Sequence, residues 1–152
     1  MRSRTAWLAL TAMLVILSAG TSRAHHSFAA FDMTKTVAIG GTVTKWVWAN
    51  PHSWLYVAVA KADGTHEEWA FECSSPNMMI RWGWHYSDIK VGDKITIDAH
   101  PSRDGGHRAS VYAVYFANGR VVADPMGRQV TGDDLANGAP SLPAKPTGTP
   151  YR

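Results

Sequence analysis

The stretch that decides the fold is residues 37–73, VAIGGTVTKWVWANPHSWLYVAVAKADGTHEEWAFEC, where apolar and polar residues alternate between turn signals. Asn50-Pro51 interrupts the alternation, and so does Asp63-Gly64, a dipeptide typical of hairpin loops. Gly40-Gly41 predicts a bulge inside the first alternating segment. The predicted strands are Val37–Trp48, Ser53–Ala60 and about His66–Cys73. Together they predict an antiparallel meander.

The segment after this meander predicts one short helix and then more strands. Ser75-Pro76 is typical of a helix N-terminus, which predicts a helix over Pro76–Trp82 that Gly83 closes. Met79 and Trp82 would form the apolar face of this helix. Further strands are predicted at Val91–Ala99, Ser110–Phe116 and Val121–Val122.

Three strands, a short helix and then further strands is the element order of the OB-fold, a small Greek-key barrel. The sequence therefore predicts a mostly β protein, a small antiparallel OB-like Greek-key barrel of five to six strands with one short helix between strands 3 and 4. A plain antiparallel barrel, or a sandwich with one helical turn, would give nearly the same pattern.

Residues 1–24 predict a signal peptide. They combine a basic start at Arg2 and Arg4, an apolar run over residues 6–17 and small residues before a predicted cleavage site after Ala24. We therefore expect an exported protein, located in the periplasm or secreted. The apolar run is too short to span a bilayer, so no membrane span is expected once the leader is removed.

The remaining chain is expected to divide into three regions. These are an N-terminal arm over residues 25–36, the β-barrel domain over residues 37–123 and a disordered tail over residues 124–152. Disorder is expected in the tail because it is rich in Pro and Gly and lacks apolar periodicity.

The charge balance argues against a nucleic-acid partner. The whole chain has 15 basic and 12 acidic residues. The leader contains Arg2, Arg4 and Arg23 and no acidic residue, so its removal leaves equal numbers of both and a net charge of zero. A neutral domain without a stripe of Lys and Arg lacks the attraction that a phosphate backbone requires.

The histidines suggest a metal site. Cleavage after Ala24 would make His25 the first residue, and its free amine and ring nitrogen could then chelate one ion, with His26 beside it. A nitrogen-rich site of this kind favours copper. The fold would bring His52 in the first loop close to His100 and His107 around the fourth loop. The alternative is that these histidines are solvated or bond locally at turns.

A second hypothesis rests on aromatic residues. Trp46, Trp48, Trp54 and Tyr56 share the strand parity opposite to the apolar core, so they could form an exposed aromatic face. Such a face would bind a peptide, a glycan or an envelope protein. Alternatively, a helix or the N-terminal arm, with Phe28 and Phe31, could cover it.

The sequence favours a non-enzymatic protein. It contains no recognisable nucleophile with a base, carboxylate pair or phosphate-binding glycine loop. A copper-dependent enzyme remains a third option, without an indicated substrate. Cys73 is expected to be a small buried residue. A Cu(I) site is a minor alternative, with candidate ligands and ring contacts at Met78, Met79, Trp82, Trp84 and His85.

Several short motifs form a recognisable combination. They are His25–Phe28, Gly41–Val43, Asn50–His52, Trp69–Glu72, Ser75–Met78, Arg81–Trp84 and Val91–Asp93. In these motifs the chain resembles the exported bacterial family catalogued as domain of unknown function 6152, over about His25–Val122. The resemblance implies export and a single small β domain. It implies no catalytic residues, because that family has no established activity.

Overall fold

The computed structural model describes residues 27–124, residue 127 and residues 144–151. The helix and strands below are numbered in chain order. The elements are β1 (Val37–Val47), β2 (Trp54–Ala60), β3 (His66–Glu72), α1 (Pro76–Arg81), β4 (Lys94–Pro101), β5 (Arg108–Phe116), β6 (Val121–Ala123) and β7 (Thr149–Pro150). Short 3₁₀ turns lie at Ser27–Ala30 and Tyr86–Asp88. In this part of the chain, no helix is long and apolar enough to cross a membrane.

Five strands close into a barrel. β1 pairs antiparallel with both β2 and β4, β2 pairs with β3, and β4 pairs with β5. A parallel pairing of β3 with β5 closes the circle in the order β1-β2-β3-β5-β4. This order, with α1 between β3 and β4, confirms the predicted OB-like barrel. β6 adds to β5 outside the circle.

The interior of the barrel follows the predicted alternation. Along β2, the side chains of Leu55, Val57 and Val59 are buried and the residues between them are only partly covered. The fully buried apolar core also includes Ile39, Phe71, Ile97, Val111 and Val114. This core also contains Met79 and Trp82, as predicted. Both belong to the segment between β3 and β4 that includes α1, which we call the helical connection. The helical connection therefore contributes to the same core as the strands.

A bulge lies in β1, but not at the predicted Gly40-Gly41. Both glycines keep regular pairing with β4, and the register shifts between Val43 and Lys45 instead. The prediction of a Gly-Gly bulge is therefore wrong. Glycine is required at position 41 for another reason: a Cβ there would lie 2.5 Å from the carbonyl oxygen of Ala58. The two strands approach too closely for a side chain.

This bulge changes which side of the sheet the later residues of β1 face. Val43 lies opposite buried Val57, whereas Lys45 lies opposite the outward Tyr56, and Trp46 then lies opposite buried Leu55. Because directly opposed residues share a face, Trp46 turns inward. The prediction that Trp46 and Trp48 share a face with Trp54 and Tyr56 is thus wrong. Both tryptophans pack against the core.

Part of the expected disordered tail is ordered. Asp124 is fully buried and accepts hydrogen bonds from the backbone and hydroxyl of Ser74, at 3.0 and 2.7 Å. Residues 144–151 lie against the barrel, with Thr149–Pro150 pairing in parallel with the start of β1. The physical reason is the buried carboxylate of Asp98, which accepts hydrogen bonds from Thr147 and Gly148. Apolar periodicity does not reveal such a polar anchor.

Candidate functional site

The outward side of β2 and β3 retains two of the four predicted aromatic residues. Trp54 and Tyr56 alternate with the buried residues of β2, and both are half-buried. They lie two residues apart, which places them about 7 Å apart along the strand. Ala70 of β3 lies opposite Tyr56, so a small side chain leaves the tyrosine ring uncrowded on that side. We call Trp54, Tyr56 and Ala70 the β2–β3 face.

Polar and charged groups surround the β2–β3 face. The Lys45 ammonium lies 5.4 Å from the centre of the Tyr56 ring, a cation–π distance. Nearby, the Thr44 hydroxyl donates a hydrogen bond of 3.1 Å to Glu68. Arg108, at the start of β5, is opposite Ala70 in the parallel pair that closes the barrel. The face is therefore bordered by both donors and acceptors.

His52 forms one end of this region. Its Nδ1 atom contacts the Glu72 carboxylate, and the two side chains are 31% and 10% exposed. Glu72 lies opposite Trp54 in the β2–β3 pairing, which places the His52–Glu72 contact beside the β2–β3 face. The structure therefore brings one predicted metal ligand, His52, next to one residue of the predicted aromatic face.

His100 is buried on β4 and is held through both ring nitrogens. Nδ1 lies 2.7 Å from the carbonyl oxygen of Lys35, and Nε2 lies 2.8 Å from that of Gly127. Both ring nitrogens therefore lie within hydrogen-bond distance of backbone carbonyl oxygens. In this structure the backbone thus engages the ring on both sides. The sequence offers no signal for these backbone partners.

His107 lies in a third environment. Its ring stacks on Trp69 at 5.2 Å between centroids, and Nε2 is 3.4 Å from Glu67. Glu67 also accepts a hydrogen bond from the Trp69 indole at 2.9 Å. That bond, with a second from Tyr151, lowers the pKa of Glu67 below its ordinary value.

The three described histidines of the predicted metal cluster thus have separate partners. Within residues 27–124, 127 and 144–151, no three His, Cys, Asp or Glu side chains form a group that could hold a metal ion. His25 and His26, the centre of the copper hypothesis, lie outside the described residues. The terminal chelate therefore stays a prediction.

The inward-turned tryptophans belong to a second aromatic cluster at the end of the barrel. Trp46 stacks on buried Trp84 at 6.3 Å, meets Trp48 edge-on at 5.4 Å, and donates a 3.3 Å hydrogen bond to the carbonyl of Tyr86. The Trp84 indole donates to the carbonyl of Ala123 at 2.6 Å. These contacts anchor the end of β1 to the helical connection, so the cluster has a structural role.

An ion pair that the sequence does not indicate joins the helical connection to the turn between β5 and β6. Arg120 donates to Asp88 and to the carbonyl of Gly83, at 2.8 and 3.1 Å. Burial alone would raise the pKa of Asp88, but hydrogen bonds and charge from Arg120 lower it overall, and Asp88 in turn raises the pKa of Arg120. Only the closed barrel brings these positions together.

Cys73 is fully buried, as expected, and burial raises the pKa of its thiol, with Asp124 and Glu72 adding to the effect. A thiol that stays protonated is a poor nucleophile and a poor metal ligand. The residue therefore contributes packing.

Fold and site together define a small OB-like barrel domain with a half-exposed aromatic face on its second and third strands. The family of unknown function DUF6152 matches residues 12–111, which is most of the chain, and the protein belongs to that family. This confirms the resemblance seen in the sequence motifs. No curated protein matches the chain.

Proposed function

We propose that this protein is a non-enzymatic binding domain that holds a neutral oligosaccharide on the β2–β3 face. The observation that carries the proposal is the outward placement of Trp54 and Tyr56, side by side on β2. This is the position at which OB-folds bind extended ligands, including oligosaccharides. Flat rings there can stack against the apolar faces of successive sugar units.

The surrounding charges favour a neutral ligand over a polyanion. Lys45 and Arg108 border the face, but Glu68 and the His52–Glu72 pair border it as well. A phosphate backbone would meet these carboxylates as well as the cations. Sugar hydroxyl groups both donate and accept hydrogen bonds, so they suit a border of mixed character.

The strand pairing argues against a peptide on this face. β2 is paired with β1 on one side and β3 on the other, and β3 is paired with β5 along its second half. A peptide that binds by strand addition needs an unpaired edge, which β2 does not offer between its two neighbours. Recognition on the β2–β3 face therefore depends on side chains.

Binding of a panel of neutral oligosaccharides, such as chitotetraose, cellotetraose and maltotetraose, tests the proposal by calorimetry on the full chain. We expect one of them to bind, and Trp54→Ala or Tyr56→Ala to weaken it about tenfold or more, since truncating an aromatic residue that anchors an interface typically costs about 2 kcal/mol or more. Tyr86→Ala is the matched control, because Tyr86 is 63% exposed and its ring packs against Trp48, which is not part of the face. Equal losses in all three variants, or tight binding of a peptide in place of any sugar, would contradict the proposal.

Copper binding is a second candidate function, favoured by the His25-His26 pair that follows the predicted leader. The first residue of the exported chain would chelate Cu(II) through its amine and ring, with His26 as a further ligand. We expect one-to-one Cu(II) binding by protein exported through its own leader. Binding should be lost in His25→Ala and below about pH 6, where imidazoles protonate.

The location of the protein is part of both proposals. The leader-like segment before His25 supports export to the periplasm or secretion. Intact-mass analysis of protein expressed with this segment checks it directly. A mass that begins at His25 is the expected result, and a mass that retains residues 1–24 would contradict export and the copper chelate together.

A further inference from the structure

The C-terminal segment occupies an edge of β1 that the barrel leaves open. β1 pairs with β4 over Val37–Thr42, whereas its pairing with β2 begins only at Thr42. The second edge of the first part of β1 therefore has no partner within the barrel. Thr149 donates to the carbonyl of Thr36, and Tyr151 to that of Ala38, both at 3.0 Å. An added strand of this kind is a common mode of peptide recognition.

Asp98 anchors this segment. Its side chain is fully buried and accepts four hydrogen bonds from the described residues, of which one comes from the barrel, from the Tyr115 hydroxyl at 3.2 Å. The other three come from the Thr147 amide and hydroxyl and the Gly148 amide, at 2.8, 3.1 and 3.1 Å. A buried carboxylate is costly when it loses its donors. The site therefore requires an occupant that supplies them.

The site is also selective for the residues that come after Thr147. A Cβ on Gly148 would lie 2.6 Å from the carbonyl carbon of Val37, so only glycine fits at that position. Tyr151 then meets Trp69 edge-on at 4.9 Å, and its hydroxyl donates to Glu67. The site therefore accepts a segment that contains Thr-Gly, then a short added strand, then an aromatic residue.

The docked segment is weakly held outside these anchors. β7 has two residues and both are exposed, as are residues 144–147. Beside it, a groove of about 520 Å³ continues along Gly40, Thr42, Thr96 and Phe116, and among the described C-terminal residues Ala144 and Pro146 line it. A longer partner with larger side chains would fill this groove.

We propose that this edge of β1 is a recognition site for an extended segment of a partner protein with the pattern Thr-Gly-x-Pro-aromatic, and that residues 147–151 are its tethered occupant. The site is separate from the β2–β3 face, and the proposal does not depend on the oligosaccharide. A tethered segment competes as an intramolecular ligand at an effective concentration on the order of millimolar. The partner would bind by displacing it.

The test uses the full chain carrying Gly148→Val, which should expel the segment because a larger side chain collides with β1. The probe is a labelled peptide of residues 144–152, AKPTGTPYR, measured by fluorescence anisotropy. We expect the peptide to bind the variant at least tenfold more tightly than the wild-type chain, where the tethered segment competes. Asp98→Asn added to the variant should abolish binding, because an amide has only one oxygen and cannot accept all the hydrogen bonds that Thr147 and Gly148 donate.

A peptide in which the same glycine is valine is the matched control and should not bind. The proposal is overturned if a folded Gly148→Val chain binds the peptide no better than wild type, or if the valine peptide binds equally well. Should Gly148→Val fail to fold, the double variant Thr147→Ala, Tyr151→Ala loosens the segment without adding a clash. The same two outcomes apply to it.

Discussion

Two neighbouring glycines of β1 show how a single residue can be fixed by its surroundings. A Cβ on Gly41 would lie 2.5 Å from both the Ala58 oxygen and a Val57 methyl group. A Cβ on Gly40 would meet only the Thr96 hydroxyl, at an ordinary 3.7 Å. Backbone atoms cannot move away cheaply, so the two positions should respond differently to the same change.

We expect Gly41→Ala to lower the free energy of unfolding by about 1–3 kcal/mol, the usual cost of overpacking. Gly40→Ala should change it by less than about 1 kcal/mol, and could raise it because alanine restricts the unfolded chain. Guanidinium unfolding followed by fluorescence measures both. Equal effects of the two substitutions would contradict the close approach of β1 and β2.

The sequence predicts the burial of some residues but not the hydrogen-bond partners of others. Burial of Met79, Trp82 and Cys73 could be predicted, because apolar side chains at those positions need only a nearby core. The environment of His100 could not, since its partners are the backbone carbonyls of Lys35 and Gly127, far away along the chain. Which polar side chains are engaged depends on contacts that only the closed fold creates.

At the scale of an element, the bulge in β1 decides which aromatic residues are available for binding. One extra residue, Thr44, moves Trp46 to the inner side, while Trp54 on the regular β2 stays outside. Alternation in the sequence gives the parity of each half of β1 but not the point at which it changes. Gly40-Gly41 is the stronger local signal, and the structure uses it for close strand packing instead.

We therefore expect Trp46→Ala and Trp54→Ala to differ in their effect on stability. Trp46→Ala removes the stacking on Trp84 and should lower the free energy of unfolding by about 2–4 kcal/mol. Trp54→Ala should cost less than about 1 kcal/mol while impairing ligand binding. Chemical denaturation of both variants measures the difference. A larger loss of unfolding free energy for Trp54→Ala than for Trp46→Ala would contradict the inward orientation of Trp46.

A second element-scale prediction concerns the ion pair that fastens the helical connection to the turn between β5 and β6. Asp88 has a lowered pKa, so its contribution to stability is present above its ordinary pKa and is lost as pH falls through the lowered value. We expect Arg120→Met to destabilise the protein by about 1 kcal/mol at pH 7. The difference from wild type should shrink towards pH 2.

Thermal unfolding of wild type and Arg120→Met at pH 7, 4 and 2 measures this dependence. Arg108→Met is the control, because Arg108 pairs with an exposed Asp104 at 3.3 Å on the surface, where little stability is expected. A constant difference between wild type and Arg120→Met over this pH range would show that the guanidinium acts through packing alone.

At the scale of the whole molecule, barrel closure separates two surfaces of different character. The β2–β3 face lies on strands that are paired on both sides near Tyr56, so it recognises ligands through side chains. The first part of β1 has a free edge, which the C-terminal segment fills through its backbone. An aromatic platform and a strand-addition site therefore occupy different parts of one small barrel.

The barrel as a whole was predictable from the order of its elements, because three strands, a helix and further strands leave few arrangements. The ordered segment at residues 144–151 was not, since it is held by Asp98 and by backbone pairing instead of an apolar stripe. Composition alone favours disorder for a stretch rich in Pro and Gly. Local sequence patterns thus predict the apolar core, but they do not predict polar contacts between residues far apart in the chain.

The measurement that tests the ligand site most directly is an NMR titration of the full chain with the oligosaccharide panel, following indole and backbone amide signals. We expect the signals of Trp54, Tyr56 and Ala70 to shift on binding, while those of the buried Trp84 and of Tyr86, which contacts Trp46 and Trp48, do not. No shifts with any sugar, or shifts confined to the Trp46–Trp84 cluster, would contradict binding at the β2–β3 face.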